Sequence, residues 1–180
     1  MIESRYLFYL LIFVLSLGVL QALIIGALFF FRRAGGKLAN QFFGLLLITF
    51  GLTLLHNVFH MTGFYNRYPS LYFAPIYYTL AFPTLLFYYV KLSLYPAYKL
   101  RWTDAKHFLL PFGQIIFFLV LFVSSVEFKS QFGRYFYNPF YGAFEQFLYL
   151  STFYAYMYFA YRYIRQKRRH IKDRIDAKKV

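Results

Sequence analysis

Residues 6–31 read YLFYLLIFVLSLGVLQALIIGALFFF, and Arg32 and Arg33 follow directly. The stretch holds no charged side chain and exceeds the ~20 residues a helix needs to cross hydrocarbon. It is too long for the apolar region of a cleaved signal peptide and has no small-residue cleavage site before its basic flank, so it reads as a true span. Four further stretches are predominantly apolar and near that length, at residues 41–62, 71–89, 106–125 and 140–163. Inside a bilayer their backbone groups find no water, and helices are the form that satisfies them internally. The expected fold is an all-α membrane protein, a bundle of about five transmembrane helices over residues 1–163, followed by a basic cytoplasmic helix at 164–180.

Composition agrees with lipid as the main solvent. Hydrophobic residues make up 61% of the 180 and charged residues 14%, with a mean hydropathy of +0.47. Cysteine is absent, which excludes disulfides and thiolate chemistry. Five spans leave little chain for a separate globular domain.

The basic residues set the expected orientation. Sixteen of the twenty fall on one set of alternate connections: Arg32, Arg33 and Lys37, then Lys91, Lys99, Arg101 and Lys106, then nine from Arg162 onward. Arg5, Arg67, Lys129 and Arg134 fall on the other. The positive-inside rule therefore puts the N-terminus outside and the C-terminus in the cytoplasm.

Short connections make successive helices neighbours. Ala34-Gly35-Gly36 breaks the first helix, Asn66, Pro69 and Ser70 punctuate the second connection, and Asn138-Pro139 starts the fifth helix. The third expected helix contains Pro75 and Pro83, which remove backbone donors and should bend it, making them hinge candidates as well as plain packing devices. Gly18, Ala22 and Gly26 recur at steps of four on the first helix and offer a close-packing face, between chains or within one.

Polar groups inside the spans carry what functional signal there is. His56 and His60 stand four apart and share a helix face, a spacing that suits two ligands on one metal or haem iron. Counting along the helices places them, with Glu145 and Gln146, in the outer leaflet. A cluster of His56, His60 and Glu145 could bind a metal, relay protons or sense external pH. The plainer reading has His60 solvated at the interface and the others paired with neighbours. Gln21, Gln114 and Asn57 suit side-chain hydrogen bonds between helices. The fifth stretch is rich in tyrosine, and Tyr154 and Tyr156 lie near mid-membrane, where each hydroxyl needs a partner; an aromatic ligand cavity and ordinary helix packing both fit. No nucleophile–base–acid set, glycine-rich phosphate loop or HExxH motif is present, so the expectation is a protein that is not an enzyme and carries no cofactor.

The tail from Arg162 has nine basic and two acidic residues, with Arg162, Arg165, Lys167, Arg168 and Arg169 at its start. It fits an anchor on anionic headgroups, at about 1 kcal/mol per basic residue. It also fits a signalling helix feeding a cytoplasmic partner or downstream domain. Direct nucleic-acid contact lacks aromatic or groove-reading features here.

The ordered stretches SLGVLQALIIGALFFFRR, KLANQFFGLLLITFGLTLLHN, GFYNRYPSLYFAP, LAFPTLLFYYVKLSL and TDAKHFLLPF cover most of the first 112 residues. In that order the chain resembles the N-terminal multi-pass membrane region of membrane-bound AraC/XylS-type bacterial transcriptional regulators. A Gly commonly precedes the third-helix proline in that family; Phe82 stands there in this chain. The resemblance implies a bacterial inner-membrane protein and the input half of a regulator. The family's helix-turn-helix domain has no counterpart in residues 1–180, so DNA binding is carried over to no residue. The expected function is a non-enzymatic membrane sensor that passes a stimulus to the cytoplasm, with the bent third helix shifting against the fifth. The alternatives are a small structural subunit of a larger membrane complex, and a metal or haem site at the outer leaflet.

Overall fold

The computed structural model describes residues 2–33 and 35–176. Ala34 of the expected glycine break and the last four residues of the basic tail lie outside the described residues. The regular structure is all helical: α1 (Ile2–Phe31), α2 (Lys37–Met61), the single turn α3 (Phe64–Arg67), a 3-10 turn at Pro69–Leu71, α4 (Ala81–Leu94), a 3-10 stretch at Trp102–Phe108 leading into α5 (Leu109–Val123), α6 (Val126–Phe132), a π-helical stretch at Gly133–Tyr141, and α7 (Gly142–Asp176). Among the described residues, three helical segments are long and apolar enough to cross a membrane: Arg5–Phe31, Lys37–Met61 and Trp102–Val123.

The small-residue face of α1 turns inward, onto α2 of the same chain. A Cβ on Gly44 would lie 2.6 Å from the Gly26 carbonyl oxygen and 2.6 Å from the Phe30 nitrogen. The two backbones meet there, so only glycine fits. The opposite face of α1 is exposed along its length, Tyr6, Leu7, Phe13, Leu28 and Phe31 among its exposed residues. Leu109, Phe112 and Ile116 of α5 and Phe144, Phe147 and Tyr154 of α7 are likewise exposed. An apolar exterior of this extent suits lipid rather than water.

The expected helix over residues 71–89 is corrected by the structure. Residues 72–80 are not helical, and α4 begins only at Ala81. Proline 75 disfavours helical backbone at Ala74, and Phe73 just before it takes a left-handed φ of +63°. Pro75 therefore lies ahead of the helix instead of bending it. Pro83 sits in the first turn of α4, where its missing N–H has no intrahelical partner to lose. Neither proline is a kink.

A second boundary also differs. Asn138 and Pro139 do not start a helix; helical turns run through both in the π stretch, which joins α6 to α7. Five-residue closures let the hydrogen-bond ladder step over the proline.

Although it is the shortest of the four main apolar helices, α4 is the centre of the bundle. Tyr88 is fully enclosed (0%), and Leu85, Phe87 and Leu92 pack with Ala39 and Phe42 of α2 and Ala160 of α7. A second cluster joins Phe73, Phe118 and Leu121, with Tyr137 against them. Phe73 is held by Tyr72, Phe118, Phe132 and Tyr137, with ring centroids 4.5–6.2 Å away. A bulky residue at positive φ costs on the order of 1–3 kcal/mol, and this aromatic cage holds it in place. At the other end of the bundle Trp102, the sole tryptophan, is 95% exposed.

Candidate functional site

Where the chain leaves helical geometry at residues 72–80, backbone donors lose their usual partners. Side chains from two other helices replace them. The Tyr78 N–H donates to Thr53 Oγ1 of α2 at 3.0 Å, and the Leu80 N–H donates to Gln114 Oε1 of α5 at 3.1 Å. The Tyr78 hydroxyl caps the Pro75 carbonyl. Polar residues in these spans are therefore the cost of a non-helical segment inside the bundle.

Glu145 of α7 completes that arrangement. Its Oε1 accepts from the Thr79 hydroxyl at 2.5 Å and from Gln114 Nε2 at 2.8 Å, and Gln114 Nε2 also reaches Thr79 Oγ1 at 3.1 Å. Glu145 is 4% exposed and Gln114 2%. One carboxylate thus ties the irregular segment, α5 and α7 together. All the donors converge on a single oxygen, and among the described residues no cation forms an ion pair with this carboxylate.

The other expected site residues distribute differently. His56 is hydrogen-bonded through Nδ1 to the Tyr65 hydroxyl at 2.9 Å and lies between the rings of Tyr65 and Tyr77. His60, one turn on, is exposed. Glu145 is engaged elsewhere, and among the described residues no three His, Asp or Glu side chains come together as a metal-binding group. The postulated His56–His60–Glu145 cluster does not form. Burial, with Tyr72 beside it, pushes the Tyr65 phenol up to about 12, so it stays a hydroxyl. Gln21, Asn57 and Gln146 are exposed on the outer faces of their helices and do not bridge the bundle; Gln114 does. Tyr156 finds the partner its position demands, His107 Nδ1 at 2.8 Å, while Tyr154 faces outward. Arg162, Arg165, Arg168 and Arg169 are exposed, and Lys167 places its ammonium 5.1 Å from the Tyr95 ring centroid.

A second polar centre escaped the sequence reading. Asp104 Oδ1 accepts from the Tyr88 hydroxyl at 2.9 Å, and Oδ2 accepts from the Tyr98 hydroxyl at 2.7 Å and the Arg101 N–H at 2.8 Å. Lys91 of α4 stands 3.6 Å from Oδ1, with its ammonium 3.8 Å from the Tyr98 ring centroid. Thr84 hydrogen-bonds the His107 carbonyl at 3.0 Å beside it. This centre locks the 3-10 stretch onto α4. The signal was present: Asp104 is the only acid among the basic residues of its connection, and Lys91 interrupts an apolar run.

Compared with known proteins, the chain matches no family model, no curated protein and no solved structure.

Proposed function

We propose that the chain is a non-enzymatic membrane sensor, an input module of the kind found at the N-terminus of membrane-bound AraC/XylS-type regulators. The proposed topology has five crossings in a bacterial inner membrane, the N-terminus outside and the basic end of α7 in the cytoplasm. The third crossing in this reading is part irregular and part helical. At about 1.5 Å per residue, the 14 residues of α4 reach roughly 21 Å, and residues 72–80 make up the remaining depth.

The observation that carries the reading is that Glu145 and the basic exit segment are parts of one unbroken helix. The 35 residues of α7 extend roughly 52 Å, well beyond the ~30 Å of hydrocarbon. A change in how Thr79 and Gln114 hold Glu145 therefore tilts or shifts a rod whose far end meets the cytoplasm. The moving part is this carboxylate-held joint rather than a proline-kinked helix. A stimulus acts by favouring one packing of the joint over another. The exposed arginines at the exit supply contact to anionic headgroups or to a cytoplasmic partner.

The test is a reporter domain fused after α7, compared in wild type and Glu145→Gln. Glutamine keeps an acceptor oxygen for Thr79 and Gln114 but removes the charge and puts an amide donor where Oε2 stood. The expected result is an output fixed at one level. A reporter that responds in the variant as in wild type overturns the proposal.

A further inference from the structure

Lys129 of α6 is one of the few charged side chains buried in the bundle, at 3% exposure. Its ammonium donates to the Ser70 carbonyl at 2.7 Å and lies 4.9 Å from the Phe122 ring centroid. Burial pulls its pKa below the ordinary lysine value. Among the described residues no carboxylate lies within ion-pair distance of it, in contrast to Lys91 with Asp104. A buried cation without a counter-charge is expensive, and an ammonium with one carbonyl partner has further N–H donors to give.

Beside Lys129 opens a cleft of about 450 Å³, between the turn after α2 and the helical run of α6 and the π stretch. Tyr65, Asn66, Tyr72, Arg134 and Asn138 line it with Lys129. The lining contains two cations, two amides and no acid. The volume exceeds what one small ion needs, and the two tyrosines supply an aromatic wall for an organic body. Asn66 and Arg134 are exposed and stand at the mouth, while Lys129 is enclosed.

We propose that this cleft binds a phosphate group, carried either by a lipid headgroup or by a soluble phosphate compound, with Lys129 as the buried counter-charge and Arg134 as the cation at the entrance. The proposal deepens the sensor reading by naming the class of stimulus, and rests on it for that meaning alone. Lys129, Arg134 and Asn138 lie on the helical run that continues into α7, whereas Tyr65, Asn66 and Tyr72 belong to the turns and irregular segment that lead to Thr79. A bound phosphate draws these two parts together, and the second of them holds Glu145 through Thr79.

The test uses the full chain purified in nonionic detergent, with thermal unfolding followed by circular dichroism. Inorganic phosphate is titrated against chloride at equal ionic strength, and phosphatidylglycerol is added to the micelles in a parallel series. The expected result is a saturable rise in melting temperature. A rise with inorganic phosphate identifies a soluble ligand, and a rise with phosphatidylglycerol alone identifies a headgroup. Lys129→Met should lose the response while melting at or above the wild-type temperature without phosphate, since it removes an uncompensated buried charge. Arg134→Gln, at an exposed position, should fold normally and need at least tenfold more phosphate for half-saturation. Wild type indifferent to both additives overturns the proposal, as does a wild-type response in either variant. Because this assay reads binding in isolated protein, its failure leaves the Glu145 reporter test standing on its own.

Discussion

At the scale of single residues, the buried carboxylates set the energetics. Glu145 receives two side-chain donors, so what replaces it decides the outcome. Glu145→Leu fills the space but strands the Thr79 hydroxyl and the Gln114 amide; leaving buried donors unsatisfied costs about 1–3 kcal/mol each. Glu145→Gln keeps an acceptor and should destabilise less, so thermal unfolding in detergent is expected to rank wild type above Gln and Gln above Leu. For Asp104, Asn removes the charge facing Lys91 and weakens three charge-assisted bonds, with an expected loss of about 1.5–3 kcal/mol. The double variant Lys91→Met/Asp104→Asn should lose less than the sum of the single variants, since each single change leaves the other charge buried alone. An additive result in a double-mutant cycle contradicts this pairing. Glu145 and Gln114 stood out in the sequence because polar groups in apolar spans are conspicuous. Thr79 and Thr53 did not, since a threonine is unremarkable until the backbone beside it leaves helical geometry. His56 and His60 share a helix face as the spacing demands, but one turn separates a packed ring from an exposed one.

At the scale of elements, hydropathy marked where α1, α2 and α5 lie, because those segments are long and apolar enough to stand out by composition alone. It could not mark the start of α4. Tyr72 to Leu80 carries no charged side chain, and whether it folds as a helix depends on Phe73 and Pro75 acting together with distant donors and acceptors. The aromatic cage on Phe73 has a testable side. Phe73→Gly relieves the positive φ yet empties a site that is 3% exposed, and loss of packing should dominate, with a net destabilisation of about 2–4 kcal/mol. The close approach of α1 to α2 makes a contrast between two glycines. Gly44→Val drives a side chain into the α1 backbone at Gly26 and Phe30 and should cost at least the ~1–3 kcal/mol typical of overpacking. Gly18→Ala meets only the Leu54 side chain at 3.6 Å, an ordinary contact, and should fold like wild type. Equal melting temperatures for the two variants would contradict the inward-facing role of this stripe.

For the whole molecule, the charge asymmetry and the helical run from α6 to α7 bear on one question, whether the proposed crossings and their orientation hold. The chain has no cysteine, so single introduced cysteines give unambiguous labelling. In intact cells, an impermeant maleimide should react with Arg67→Cys and leave Ala97→Cys unmodified until the membrane is opened. The reverse pattern would invert the proposed orientation, and labelling of both would reduce the number of crossings. The long α7 was legible only in part: the basic tail reads as helix, but the apolar run gives no hint that the preceding turn would pass through Asn138 and Pro139 without stopping. Local proline rules mark a boundary there, and the wider π turns remove it.

The lone indole of Trp102 turns the protein into its own depth gauge. It projects from the bundle at the end where α5 begins, beside Arg101, and no second tryptophan obscures its signal. Its emission in vesicles should be blue-shifted from that in water and quenched most strongly by bromine placed high on the acyl chains, reporting how far that rim sits from the aqueous phase. Any stimulus that rocks the assembly within the bilayer then becomes a change of colour, readable without attaching a probe.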